Sequence, residues 1–189
     1  MYTLNWFALL VLICAVAIMA IGCYVLIKNP RASSHRALFY FCISLFVWLL
    51  GSALEYAAIE PELGLFWGRF SFLGVAFISS CNLYFNLQFL EIKNKKYLIS
   101  FLFALSFLFA LTAYVPDLIY KNVEIFYVGY YPRAGPLHTP FLACFFTTWF
   151  YGLYLLHIHI RKRKNKKILL LTTKLNMFFW LGSADRSEH

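Results

Sequence analysis

Two charged residues stand inside apolar runs that otherwise carry almost no charge: Glu55 and Arg69. An ionised group in hydrocarbon costs at least about 2.5 kcal/mol unless it is paired or put to use. The short connection after the second apolar run is centred on Glu62; Glu55 precedes it by seven residues and Arg69 follows it by seven. On adjacent antiparallel helices that spacing gives equal depth, so an intramembrane ion pair between Glu55 and Arg69 is expected. A ligand-contacting role for either residue is compatible with the pair. Independent snorkelling is the alternative, because Glu55 lies only about 6 Å below the end of its span at 1.5 Å per residue.

The other polar residues in the apolar runs point to packing. Ser79, Ser80, Asn82, Asn86 and Gln88 cluster in one half of the third run, with Asn82 and Asn86 one helical turn apart. Hydrogen bonds between helices, worth about 0.6 to 2 kcal/mol each in a membrane, account for them. A solute path would need matching polar groups on neighbouring runs, and the first and fourth are nearly bare. His157 and His159, two apart on a helix, point nearly opposite ways and make no haem pair. The five cysteines, Cys14, Cys23, Cys42, Cys81 and Cys144, all lie inside apolar runs, without the spacing of a disulfide framework or a metal site. No nucleophile with a base, phosphate-cradling glycine loop or metal-ligand set is present, so neither catalysis nor a cofactor is expected.

The elements that hold these residues are membrane helices. With 62% hydrophobic and 13% charged residues, the chain cannot hide its apolar surface as a soluble domain would. Spans are expected at about 3–27, 37–59, 65–90, 97–115 and 140–160, each near the roughly 20 residues needed to cross hydrocarbon. A shorter run, 168–182, reads as a partial sixth helix, cut short before a polar tail at 183–189. Its fifteen residues, with Lys174 near the middle, make a poor span. The fold class is therefore an all-α, polytopic transmembrane helix bundle.

Charge orients it. Twelve of the seventeen Lys and Arg residues fall in three connections: Lys28, Arg31 and Arg36; Lys93, Lys95 and Lys96; and Arg161 to Lys167. The alternate connections hold almost none, and basic loops stay on the cytoplasmic side. The N-terminus is therefore expected outside, in a cell inner membrane. The net charge of +9 borders spans instead of lining one face of a domain, which argues against nucleic acid. The first span has no basic residue before its core and is too long for a signal peptide. The one long outer connection, 116–139, mixes β-branched and aromatic residues from Asn122 to Tyr131 before Pro132, Gly135 and Pro136, which suits a short hairpin or cap over the helix ends.

In this order the chain carries Asn29-Pro30, Arg36, Trp48, Glu55, Phe66-Trp67-Gly68-Arg69, Leu73-Gly74 and Gly135-Pro136-Leu137. This pattern resembles the N-terminal seven-helix sensor region of bacterial histidine kinases and related diguanylate cyclases, over nearly all of residues 1–182. Where such regions often place proline midway along the third span, this chain has Ile78-Ser79-Ser80, which puts a kink there in doubt. The resemblance implies a signal-input module, not itself an enzyme, that detects an outer or membrane-borne small ligand and relays it by helix movement to a cytoplasmic output domain of a two-component system. On that reading Glu55, Trp67, Arg69, Tyr127, Tyr130 and Tyr131 would form the ligand pocket. Expected partners are the lipid bilayer, an unidentified small molecule and, as an open option, a second copy in a homodimer. A small transporter or channel subunit, or a structural membrane subunit, is the rival class; internal repeats, which would favour transport, are not visible.

Overall fold

The computed structural model describes residues 2, 3 and 5–184, with side chains through 162. Helix α1 (Trp6–Lys28) begins where Asn5 turns its side-chain oxygen onto the Phe7 N–H at 2.9 Å, satisfying one of the free donors of the first turn. A tight turn at Asn29 and Pro30 leads to α2 (Ser33–Ala57), and His35 Nδ1 lies 2.9 Å from the Val25 carbonyl, tying the two helices beside that turn. Pro61 then opens α3 (Pro61–Phe89) in the first turn, where no N–H is needed. The connection to α4 (Lys96–Thr112) includes Glu91 at φ 58.

Small residues let these helices approach closely. A Cβ on Gly51 would fall 2.6 Å from Ser71 Cβ, and one on Gly22 would fall 2.7 Å from Cys42 Cβ. A Cβ on Gly74 would run into the α2 backbone at Ser44 and Trp48. Between α3 and α4 the Ser80 and Ser106 hydroxyls meet at 2.8 Å, and Ser80 also donates to the Leu102 carbonyl at 3.3 Å. Of the expected amide pair, Asn82 Nδ2 is buried without a partner, and both amide nitrogens lie against Gly152. Phe72, at 0% exposure, centres a core with Tyr120 and Phe141, whose rings meet it edge to face at 5.6 and 4.8 Å.

Three expectations change. The chain is mostly helical but not all-α: β1 (Tyr120–Phe126) and β2 (Gly129–Ala134) pair antiparallel across a two-residue turn, Tyr127–Val128. Four helical segments are long and apolar enough to cross a membrane, namely α1, α2, α3 and His138–Lys162, whereas α4 has 17 residues and ends at Thr112, short of the span expected to 115. The basic run Arg161 to Lys167, expected as a loop between two spans, is helical, because α5 continues from His138 to Ala184. Lys and Arg are good helix formers and no Pro or Gly interrupts the run; polarity alone does not break a helix. The chain forms two compact units, Met1–Gly152 and Leu153–His189, and the site below lies within the first.

Candidate functional site

The N-terminal segment, the end of α2, the start of α3 and the hairpin converge at one end of the bundle. Tyr2 bridges to Ala58, and the Thr3 N–H donates to the Ala57 carbonyl at 2.8 Å. Asn5 Nδ2 donates to the Val128 carbonyl at 2.6 Å and to the Tyr56 carbonyl at 3.1 Å, pinning the hairpin turn to α1 and α2. Gly129, at φ 127, packs so close to the Tyr56 backbone that a Cβ would collide with its carbonyl oxygen. Tyr130 lies over Gly64 and donates its hydroxyl to the Ile59 carbonyl at 3.0 Å. The hairpin is thus seated as a roof on the helix ends.

Beneath that roof is a cavity of about 640 Å³. Its helical wall is a stripe on α2, Trp48, Ser52, Glu55 and Tyr56, faced by Ser71 of α3. Residues three to four apart share one helix face, which brings this stripe to one side. The roof supplies Tyr120, Glu124 and Phe126 from β1 and Tyr131 and Arg133 from β2, and His138 closes the rim at the start of α5. Burial first, and the facing Glu55 carboxylate second, push the Tyr120 phenol well above its ordinary pKa.

Charge in the cavity is not balanced. Arg133 pairs with Glu124 at 3.1 Å, both largely exposed, a contact worth at most about 1 kcal/mol. Glu55 is 3% exposed; its carboxyl lies against Gly68, where a Cβ would stand 3.0 Å from Oε1, and Oε1 has no hydrogen-bond partner. The Ser71 hydroxyl, also in the wall, donates to the Gly68 carbonyl at 2.9 Å. His138 Nδ1 is likewise buried and unpartnered.

The expected ion pair is corrected. Among the described residues no ion pair joins Glu55 to Arg69, and Arg69 Nε is itself buried without a partner. Counting seven residues each way from the turn gave depth correctly, since Glu55 meets Gly68, the neighbour of Arg69. One residue on a helix is also about 100° of rotation, which points Arg69 away from that contact. Of the expected pocket residues, Glu55 and Tyr131 line the cavity. Trp67 does not: its Nε1 donates to the Tyr2 hydroxyl at 2.9 Å. Tyr127 is 87% exposed at the hairpin turn, edge-on to Phe7, and Tyr130 seats the hairpin. The stripe of Trp48, Ser52 and Glu55 was legible from helical spacing; Tyr120 and His138 had no signal, because only the hairpin's fold brings them to α2.

Residues 10–183 match the family model described as the N-terminal 7TM region of histidine kinase. No curated protein and no solved structure matches the chain. That match covers most of the chain and agrees with its apolar helices, so this multi-pass membrane protein belongs to the family of histidine kinase N-terminal 7TM regions, which are sensory input modules.

Proposed function

We propose that the chain detects a small extracytoplasmic or membrane-borne ligand in the cavity beneath the hairpin and passes the signal inward by helix displacement. The observation that carries this reading is the cavity itself: about 640 Å³, roofed by aromatic side chains and holding a buried, unpartnered carboxylate. Ligand sites are concave and mostly apolar with a few placed polar groups, and an ionisable residue at membrane depth is costly unless it has a function. Occupancy would bear at once on α2, α3 and the hairpin, and through His138 on the first turn of α5, so a ligand that fits one arrangement of these elements better than another shifts their balance. With the N-terminus and hairpin outside an inner membrane, the cavity opens to the outer side. On its own the chain is an input device, and the reaction belongs to the output domain of the kinase it serves.

The test is a fusion of the sensor region to a reporter kinase, assayed in cells. Glu55→Gln and Tyr131→Ala should shift the signal needed for half-maximal output by about tenfold or more while membrane insertion stays normal. Arg69→Gln, outside the cavity, should leave it within about twofold. Normal signalling by both cavity variants, or ion conduction by purified protein in liposomes, would replace the sensor site with another reading.

A further inference from the structure

We infer that the ligand of this cavity carries an ammonium group on an apolar body, with Glu55 as its counter-ion; this rests on the cavity being the sensory site. The charge count leads there. Among the groups that face the cavity, Glu124 and Arg133 offset each other at 3.1 Å, which leaves the Glu55 carboxyl as the acidic group without a partner. It is 3% exposed, Oε1 has no hydrogen-bond donor, and Arg69 is not in ion-pair reach. The charged form of a buried carboxyl in that condition is unfavourable by itself and becomes favourable when a cation with donor protons arrives.

The rest of the wall fits the same group. Trp48, Tyr56, Phe126 and Tyr131 line the same cavity as Glu55, and aromatic rings attract ammonium at their negative faces while accommodating an alkyl body. An anionic ligand would meet Glu55 and Glu124 with only a guanidinium already engaged. A neutral one would bring no charge to match the ionised form of Glu55. His138 Nδ1, the other buried polar atom on this cavity without a partner, offers a second polar contact on the rim. Such an ammonium comes either from a free amine or from the headgroup of an aminophospholipid.

The purified protein in dodecylmaltoside, a neutral detergent without ammonium, is titrated by calorimetry with n-octylammonium, n-octanol and n-octanoate. Octylammonium should bind at least about tenfold more tightly than the other two, as expected for a charge-assisted contact. Glu55→Gln should remove that preference, and Glu62→Gln, a carboxylate at the same end but outside the cavity, should keep it. Wild-type selectivity needs no variant, so the result stands even where a substitution impairs folding. Addition of phosphatidylethanolamine distinguishes the sources: displacement of octylammonium assigns the site to a lipid headgroup, and its persistence assigns it to a free amine. Tighter binding of octanol or octanoate that is lost in Tyr131→Ala overturns the ammonium and leaves the cavity a ligand site. Binding of none of the three in a Glu55- or Tyr131-dependent way overturns both.

Discussion

At the scale of single residues, Glu55 is an expense that the fold does not recover. Oε1 lies against bare Gly68 with no donor, so Glu55→Gln, which keeps shape and removes charge, should leave thermal stability in detergent unchanged or raise it. A loss of more than about 1 kcal/mol would reveal a partner for the carboxylate. The same geometry predicts additivity. With no ion pair between them, Glu55→Gln and Arg69→Gln combined should sum to within about 0.5 kcal/mol; a larger coupling energy in the double-variant cycle would restore the pair.

Among the elements, the contact of α2 with α3 rests on glycines whose missing side chains set the distance. Gly51→Ala would bring a methyl to 2.6 Å from Ser71 Cβ and 2.7 Å from its backbone nitrogen, neither of which can swing away. The helices must part, at a cost of about 1 to 3 kcal/mol in unfolding measurements, and the cavity that they wall at Ser52 and Ser71 should change shape with them. Gly152→Ala comes tightest against the tip of the Asn86 amide at 3.0 Å, a flexible end, with Asn82 Nδ2 and Leu83 Cδ1 at ordinary contact distances of 3.6 and 3.7 Å, and should cost clearly less. Between α3 and α4, Ser106→Ala leaves the Ser80 hydroxyl its Leu102 carbonyl acceptor, so the loss should stay near 0.6 kcal/mol.

At the largest scale, the unit Met1–Gly152 has two unlike ends. One carries the N-terminal segment, the hairpin and the cavity; the turns at Asn29 and at Lys93 to Lys96 lie at the far ends of α2 and α3. With basic turns held inside, single cysteines at Asn122 and at Ser33 or Asn94, in a background without the native five, should separate cleanly. An impermeant thiol reagent on intact cells should label Asn122→Cys and spare the other two. The reverse pattern would invert the topology and turn the cavity toward the cytoplasm.

The sequence by itself determined the membrane class and the mostly helical character, because these follow from composition and from the order of apolar runs along the chain. It also gave the depth of Glu55, which is a count of residues from a turn. Direction around the helix, the seating of the hairpin and the continuity of α5 were decided by tertiary structure. Arg69 misses Glu55 through one residue of rotation, and Tyr120 and His138 reach the cavity only because β1 and β2 fold back over α2. Depth is a one-dimensional property that spacing fixes; a cavity depends on which faces meet, and the close approaches at Gly51, Gly74 and Gly129 set those faces.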